Sequence, residues 1–424
     1  MASERLPRWL GRPIYYGWPM LYGVSAAQVV SWGILYYAFS VFVAPMQAEL
    51  GWTTVELTGA YSLALLCSGL AAVPVGRWLD RHGARALMTV GSIAGSLLLV
   101  AWSHVSSLAA FYLVMAAIGA TTAAVLYEPA FALVAVWFRR QRGRALTVLT
   151  FFGAWASFVF IPLSAWLVER LGWRPALLAL AGILAVATIP PHLFLLRRRP
   201  QDLGLLPDGA PPGGEQTTHT ASPEVSVSTA AALRDRGFWW LTVAFGTSIL
   251  VTVANTVSII PYLITKGQSP SFAAQVAGLF GLMTLVGRLL IGPLGDRMPR
   301  HLVTAGLMAM QMAGLSVLAL VPTTTGALVA IALFGAGAGT MTIMRAALLA
   351  ERYGPANYGS ISGMQNVALT GSRTLGPISA GALSIALGGY EWALMVFIGL
   401  LGLGLLAILL AGEPTPKGAL AAEG

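Results

Sequence analysis

Long apolar stretches separated by short polar segments run along almost the whole chain. Each stretch approaches or exceeds the roughly 20 residues that an α-helix needs to cross the hydrocarbon core of a bilayer. The approximate segments are 17–46, 54–76, 85–103, 108–137, 144–167, 174–196, 238–265, 272–294, 302–321, 326–350, 359–387 and 392–411. The pattern therefore predicts an all-α membrane protein with twelve transmembrane helices.

A polar segment in the middle of the chain, residues 197–236, interrupts this pattern. It holds three consecutive arginines, a Pro/Gly-rich stretch and several Ser and Thr residues, and it is not apolar enough to span a bilayer. Such a composition is typical of a flexible linker. We therefore expect an N-terminal six-helix bundle over residues 1–196, a cytoplasmic linker over 197–236 and a C-terminal six-helix bundle over 237–424.

The two groups of six segments repeat each other with an offset close to 216 residues. The pairs that keep this spacing are Gly76 and Gly292, Asp80 and Asp296, Gly119 and Gly335, Gly143 and Gly359, and, at 215 residues, Pro162 and Pro377. Duplicated six-helix halves around a site at the membrane midplane are the architecture of one large class of transporters. The repeat therefore predicts two pseudo-symmetric bundles.

The composition fits a membrane environment. Of the 424 residues, 57% are hydrophobic and 10% are charged, whereas a soluble domain carries about 25% charged residues. The net charge of +9 does not indicate nucleic-acid binding, because 19 of the 25 Lys and Arg fall on one side of the predicted topology and 3 on the other. This bias places both termini in the cytoplasm and leaves no basic patch for DNA or RNA.

Nothing in the sequence indicates an enzyme. The five histidines are scattered without metal-ligand spacing, and no nucleotide-binding glycine loop is present. Cys67 is the only cysteine, which excludes a disulfide framework. We therefore expect no cofactor, no bound metal and no ATP-driven step within this chain.

Two related loops follow the second and eighth segments. The first reads GRWLDRHGAR over residues 76–85, and the second reads GPLGDRMPRH over residues 292–301. A glycine at the helix end allows a tight turn, and the aspartate can face the start of a neighbouring helix, where the backbone dipole favours negative charge. The alternative is a loop that only holds arginines at the cytoplasmic surface, but its recurrence in both halves argues against that.

This motif resembles the loop signature of the major facilitator superfamily, whose members have two lobes and work by alternating access. The matching positions are Gly76, Asp80, Arg81 and Gly83 in the first copy and Gly292, Asp296 and Arg297 in the second. The second copy has Pro299 where the first has its later glycine. The resemblance covers nearly the whole chain. It implies a conformational role for both loops and a monomer as the working unit in the lipid bilayer.

Five further segments look like the bacterial monocarboxylate and oxalate–formate antiporter branch of that superfamily. They are YYGWPM (15–20), YYAFSVFVAPMQAELGW (36–52), RGRAL (142–146), LGWRPALL (171–178) and VGRLLIG (286–292). The resemblance implies a bacterial inner (plasma) membrane protein in which Arg288 binds a substrate carboxylate and Tyr127 is a second substrate contact. Animal members carry an acid where this chain has Thr284 and a lysine in the first helix, whereas segment 17–46 has none. Proton coupling through those groups is therefore not implied.

Four ionisable residues lie inside apolar segments: Glu128, Arg288, Arg345 and Arg373. A charge at membrane depth is costly and faces a water-filled cavity or a partner, so each is a candidate functional residue. Arg288 lies roughly 9 Å from its cytoplasmic helix end at 1.5 Å per residue. Snorkelling to the surface is therefore an alternative to binding a carboxylate through its planar fork. Arg373 lies near the midplane and either binds an anion or pairs with polar groups.

Glu128 and Arg345 occupy nearly equivalent positions in the two halves. We hypothesise that they form a charge pair that closes the cytoplasmic side, and that protonation of Glu128 or an anionic substrate at Arg345 opens it. The alternative is that each charge is satisfied within its own half. Pro129 removes a backbone donor directly after Glu128. The resulting kink would help to place Tyr127 and Glu128 in the cavity.

Three buried arginines against one buried acid predict a positive site. The sequence therefore favours a secondary transporter of a small, monocarboxylate-like organic anion, with a proton moving in symport. A drug or toxic-compound exporter of the same fold is the alternative. Against it, the fifth segment lacks the G-P-x-x-G-G run of proton-coupled drug antiporters. A receptor or scaffold is a third interpretation, and it predicts no substrate-dependent conformational cycle.

Overall fold

The computed structural model describes residues 8–9, 12–13, 15–209, 227–321 and 323–413. Residues 210–226 of the expected linker and residues 414–424 at the C-terminus lie outside these ranges. Contacts divide the chain into two compact units. The first consists of Met1–Ser226 with Gly354–Met364, and the second consists of Val227–Tyr353 with Gln365–Gly424.

The described residues form fifteen α-helices. These are α1 (Gly17–Trp32), α2 (Phe39–Leu50), α3 (Thr54–His82), α4 (Ala84–Ser103), α5 (Leu108–Val125), α6 (Tyr127–Trp137), α7 (Arg142–Leu171), α8 (Trp173–Pro190), α9 (Thr229–Arg234), α10 (Arg236–Thr265), α11 (Pro270–Ile291), α12 (Arg300–Leu320), α13 (Thr324–Tyr353), α14 (Tyr358–Ala386) and α15 (Tyr390–Ala411). π-Helical turns occupy Gly33–Tyr37 and Pro191–Leu195, and 3-10 turns occupy Pro200–Leu203, Pro207–Gly209 and Gly292–Asp296. Two short antiparallel strands, β1 (Arg8–Trp9) and β2 (Arg12–Pro13), pair Arg8 with Pro13 and Trp9 with Arg12.

The helices make twelve membrane segments, which confirms the predicted all-α membrane fold. α1 and α2 are two parts of one segment joined by a π-helical turn, and α5 and α6 are two parts of another. Among the described residues, eleven segments are long and apolar enough to cross a bilayer. The remaining segment, α14, is 29 residues long, but Arg373 and many small polar residues make it less apolar.

Each unit has its own apolar core, and the outward faces of its helices are apolar too. Trp102 and Phe111 belong to the core of the first unit, and Phe334 and Phe397 belong to the core of the second. Leu, Ile and Val side chains also cover the outside, and Ile385 is 84% exposed. Such side chains would be unfavourable in water, so these outward faces suit lipid.

The internal repeat is visible in the packing within each unit. Gly119 of α5 lies so close to α3 that an added Cβ would collide with the carbonyl of Ala64. A Cβ on Gly335 of α13 would lie 3.1 Å from the carbonyl oxygen of Phe280 on α11. Ala64 and Phe280 keep the same sequence offset as the two glycines. Small residues let membrane helices approach closely, so both units contain the same close helix crossing.

The first part of the expected linker, residues 197–209, is held against helices of the first unit. This order differs from the flexible segment that the sequence predicts. Asp208 accepts hydrogen bonds from the backbone N–H groups of residues 139–141 at 2.7 to 3.3 Å. The indole of Trp137 donates to the carbonyl of Arg197 at 3.2 Å, and the hydroxyl of Tyr15 donates to the carbonyl of Trp137 at 2.9 Å. Burial, together with the negative charge of Asp208, raises the pKa of Tyr15 above its ordinary value.

Candidate functional site

The fourth membrane segment is interrupted inside the membrane. α5 ends at Val125, Leu126 leaves the helical region with φ −83° and ψ −150°, and α6 begins at Tyr127. Pro129 has no N–H group and cannot donate to the carbonyl of Val125 four residues earlier. The kink expected from Pro129 is therefore a full break, and Glu128 lies in the first turn after it.

Gln28 of α1 lies at this break. Its side chain is fully buried, and its amide nitrogen donates to the carbonyl oxygens of Val125 at 2.7 Å and Leu126 at 3.3 Å. The carbonyl of Val125 is the acceptor that loses its helical donor at Pro129. The only sequence signal for Gln28 is its polarity within an apolar segment, so this contact could not be predicted.

Tyr127 belongs to an aromatic cluster at the break. Its ring centroid lies 4.8 Å from that of Trp32 and 5.1 Å from that of Phe131, against which it stacks. Trp32 also contacts Tyr36, with 5.1 Å between centroids. Gly153 of α7 leaves room for the hydroxyl of Tyr127, since an added Cβ would collide with it. The indole N–H of Trp32 is buried and has no hydrogen-bond partner among the described residues.

Glu128 is half-buried in the first turn of α6 and accepts a hydrogen bond from the hydroxyl of Ser362. Ser362 lies on the part of α14 that belongs to the same compact unit, and it is buried. A hydrogen bond to an ionised carboxylate is stronger than one to a neutral acid. Protonation of Glu128 would therefore weaken this link to α14. The pairing of Glu128 with Arg345 stays a prediction.

The aspartate of the first loop motif binds the start of α14. Asp80 accepts the backbone N–H of Gly359 at 2.7 Å through one carboxylate oxygen and that of Ser360 at 2.8 Å through the other. Gly76 approaches Gly359 so closely that an added Cβ would collide with its carbonyl. First-turn N–H groups lack helical acceptors, and the helix dipole favours a carboxylate there. Asp80 thus lies at the start of a neighbouring helix, as its motif suggested.

The other motif residues lie near the helix ends. Arg81 is exposed in the last turn of α3, and Gly83 turns the chain into α4 with φ +79°, a conformation that favours glycine. In the second copy, Asp296 accepts a hydrogen bond from Arg300 at 3.2 Å. Arg297 is exposed. In the second copy of the loop motif, the aspartate therefore forms an ion pair with the first residue of α12.

Arg345 is buried within the second unit, where 4% of its surface is exposed. Its guanidinium donates to the side-chain oxygen of Gln365 at 3.4 Å, and the amide of Gln365 contacts the hydroxyl of Thr242 at 3.5 Å. These long hydrogen bonds form a polar row across α13, α14 and α10. A role for Arg345 in substrate binding or gating stays a prediction.

Arg288 and Arg373 both donate to neutral oxygen atoms. Arg288 is half-buried on α11, and its Nε donates to the carbonyl of Gly339 on α13 at 3.0 Å. This bond holds the Arg288 guanidinium beside α13. Arg373 is exposed on α14 and donates to the side-chain oxygen of Asn366 at 3.0 Å. A role for Arg373 in anion binding stays a prediction.

Acidic residues of the second unit form ion pairs at helix ends. The pairs are Asp235 with Arg352 at 3.0 Å, Asp296 and Glu351 with Arg300 at 3.2 and 3.0 Å, and Glu391 with Lys266. The hydrogen bond that Lys266 donates to Glu391 raises the pKa of Lys266 above its ordinary value. These ion pairs join the ends of neighbouring helices of the second unit.

A helical membrane protein built from two six-helix repeats, with ionisable side chains at membrane depth, has the architecture of a transporter. The chain belongs to the Major Facilitator Superfamily, whose family model matches residues 24–372 and 249–424. Members of this superfamily move solutes and are not enzymes. The superfamily resemblance drawn from the loop motif is confirmed.

Several relatives are named as monocarboxylate transporters. The chain is 26% identical over 392 residues to Monocarboxylate transporter 13 of Bos taurus, covering 90% of this chain and 86% of that protein. It is 23% identical over 315 residues to Monocarboxylate transporter 12 of Xenopus laevis, covering 71% of this chain and 67% of that protein. It is 28% identical over 412 residues to an MFS-type transporter of Gibberella moniliformis, covering 92% of each chain.

Solved structures share the fold. The chain is similar to the major facilitator transporter FucP in its outward conformation, with a TM-score of 0.70 and 15% identity, covering 94% of this chain and 99% of that one. A bacterial homologue of the iron transporter ferroportin in an outward-facing state matches with a TM-score of 0.69, 15% identity and the same coverage. Both likenesses show the fold alone.

Proposed function

We propose that the protein is a secondary active transporter that carries a small monocarboxylate together with a proton by alternating access. The observation that supports this most is the charge distribution of the second unit. Arg288, Arg345 and Arg373 lie within its membrane segments and donate to neutral oxygens. Four acids of the same unit, Asp235, Asp296, Glu351 and Glu391, form ion pairs with Arg352, Arg300 and Lys266 at helix ends. Three guanidinium groups within the membrane segments of one unit favour an anionic substrate, because a guanidinium binds a carboxylate through charge-assisted hydrogen bonds.

Arg288 is the residue to which we assign the substrate carboxylate. A guanidinium binds a carboxylate through two parallel charge-assisted hydrogen bonds, and its planar fork fixes the orientation of the anion. The bond from Arg288 to the carbonyl of Gly339 holds that fork in place before the substrate arrives. The names of the relatives support a monocarboxylate as the anion.

Glu128 is the residue to which we assign the proton. It is half-buried, and its link to Ser362 weakens when the carboxylate is neutralised. A proton entering at Glu128 would loosen the start of α14, which a conformational cycle requires. We further propose that the chain works as a monomer in the plasma membrane of a bacterium, with both termini in the cytoplasm.

Thermal unfolding of the detergent-purified protein tests this function. L-Lactate, pyruvate, oxalate, sugars and lipophilic cations are compared at mildly acidic and mildly alkaline pH. A ligand at about 100 times its Kd stabilises the folded state by roughly 2.7 kcal/mol. We expect stabilisation by monocarboxylates, its loss in Arg288→Ala and its retention in Arg236→Ala, the matched control with an exposed arginine of the same unit.

A drug or toxic-compound exporter is the second candidate, and the aromatic cluster around Trp32 and Tyr127 favours it. Aromatic faces bind apolar and cationic bodies. Stabilisation by lipophilic cations alone would overturn the monocarboxylate proposal and support this candidate.

A further inference from the structure

The break between α5 and α6 leaves a backbone carbonyl without its helical donor. In a continuous helix the N–H of residue 129 would donate to the carbonyl of Val125, but Pro129 has no N–H. An unpaired carbonyl within the hydrocarbon region is strongly unfavourable, so some other group must satisfy it.

Gln28 supplies that donor from a different helix. Its amide nitrogen lies 2.7 Å from the carbonyl oxygen of Val125 and 3.3 Å from that of Leu126. The side chain is fully buried, so water does not compete for the donor. Gly91 of α4 closes the break from another side, since an added Cβ would collide with the side chain of Val125. The break is thus held by a specific contact and close packing.

The direction of Glu128 depends on the backbone at this break. Glu128 comes two residues after Leu126, and each residue of an α-helix turns by about 100° around the axis. A small change in where α6 begins would therefore point the carboxylate away from Ser362. A donor that satisfies the carbonyls of Val125 and Leu126 while keeping the break therefore fixes this direction.

We propose that Gln28 is a positioning residue for Glu128. By donating to the two carbonyls at the break, it holds the first turn of α6 in the orientation that brings the carboxylate of Glu128 to the hydroxyl of Ser362. The importance of this geometry for transport rests on the proposed function. The geometry itself is tested without any substrate.

A disulfide between positions 128 and 362 measures the orientation directly. Cys67 is the only cysteine, so Cys67→Ser gives a background in which Glu128→Cys and Ser362→Cys form the only thiol pair. The pair is oxidised with copper phenanthroline, and the remaining thiols are counted with a polyethylene glycol maleimide. We expect rapid crosslinking in this background.

Gln28→Met keeps the volume of the side chain but removes the donor. Loss of a buried hydrogen bond changes an equilibrium by about tenfold, and we expect crosslinking to slow by about that factor. Ser31→Ala is the matched control, because Ser31 lies fully buried on the same helix and its hydroxyl has no partner among the described residues. Equal crosslinking rates in Gln28→Met and Ser31→Ala would overturn the proposal.

A rescue variant separates positioning from simple stabilisation. Adding Pro129→Ala to Gln28→Met returns an N–H donor to the carbonyl of Val125, so the melting temperature should recover. The crosslinking rate should stay low, because a continuous helix turns position 128 away from Ser362. Recovery of both would show that Gln28 acts only on stability. If Gln28→Met does not fold, Gln28→Asn, whose amide is one methylene shorter, takes its place.

Exchange of radiolabelled L-lactate into proteoliposomes loaded with unlabelled L-lactate connects the geometry to transport. If Gln28 acts through Glu128, the double variant Gln28→Met/Glu128→Gln transports no more slowly than Glu128→Gln alone. If the double variant is slowed by the product of the two separate reductions in transport rate, the proposal is contradicted. If the wild type moves no monocarboxylate at all, the proposed function fails, while the crosslinking result still decides the role of Gln28.

Discussion

Polar side chains of the first unit repeatedly satisfy backbone groups that helices leave unpaired. Gln28 donates to the carbonyls at the break after α5, Asp80 accepts from the start of α14, and Asp208 accepts from the segment before α7. Helix ends leave such groups without internal partners. The sequence suggested this role for Asp80 because its motif recurs. Gln28 and Asp208 carry no such signal, because their partners lie far away in the sequence.

Gly153→Ala should disturb Tyr127. The added methyl group would collide with the tyrosine hydroxyl, and forcing extra volume into a packed site costs about 1–3 kcal/mol. Thermal unfolding measures the loss. Gly182→Ala is the control, since an added Cβ there meets nothing within 4 Å. Equal melting temperatures for the two variants would contradict the packing described for Tyr127.

Most prolines within the membrane helices do not coincide with a break. α3, α7, α10 and α14 continue through Pro74, Pro162, Pro261 and Pro377, whereas Pro129 follows the break at Leu126. The sequence therefore predicted a kink at Pro129 but not its extent. A buried amide from α1 stabilises this break, and sequence periodicity does not reveal a donor that comes from another helix. The π-helical turn at Gly33–Tyr37 was likewise not predicted.

Asp80→Asn should destabilise the start of α14. An asparagine has one acceptor oxygen, and its NH2 group would face a backbone N–H, so one of the two bonds is lost along with the charge. Such helix-capping contacts contribute about 0.5–2 kcal/mol. Chemical denaturation should show a loss of this size in Asp80→Asn and none in Arg77→Gln, an exposed neighbour on α3. An unchanged midpoint in Asp80→Asn would refute the capping role.

The fold of the whole molecule was more predictable than its site. Apolar length specified twelve segments, and the repeat specified two related halves, because both follow from patterns that extend over many residues. The site depends on individual contacts such as Glu128 with Ser362 and Arg288 with the carbonyl of Gly339. Sequence analysis identified Glu128 and Arg288 from their charge, but a serine or a backbone carbonyl has no comparable signal.

Asp208→Ala should release the ordered part of the linker from the first unit. The backbone N–H groups of residues 139–141 would lose their acceptor, and their hydrogen exchange should become roughly tenfold faster. Exchange in α10–α15 should not change. Asp202→Ala is the control, since Asp202 accepts from the backbone of Arg199 within the linker itself. Similar exchange at 139–141 in both variants would contradict this docking.

The most direct test of the central claim is uptake into proteoliposomes with an imposed proton gradient, using the radiolabelled monocarboxylate that stabilises the protein most. We expect the gradient to drive accumulation, Arg288→Ala to abolish it, and Glu128→Gln to allow exchange without accumulation. Accumulation that is equally fast in Arg288→Ala, or transport limited to lipophilic cations, would contradict the account.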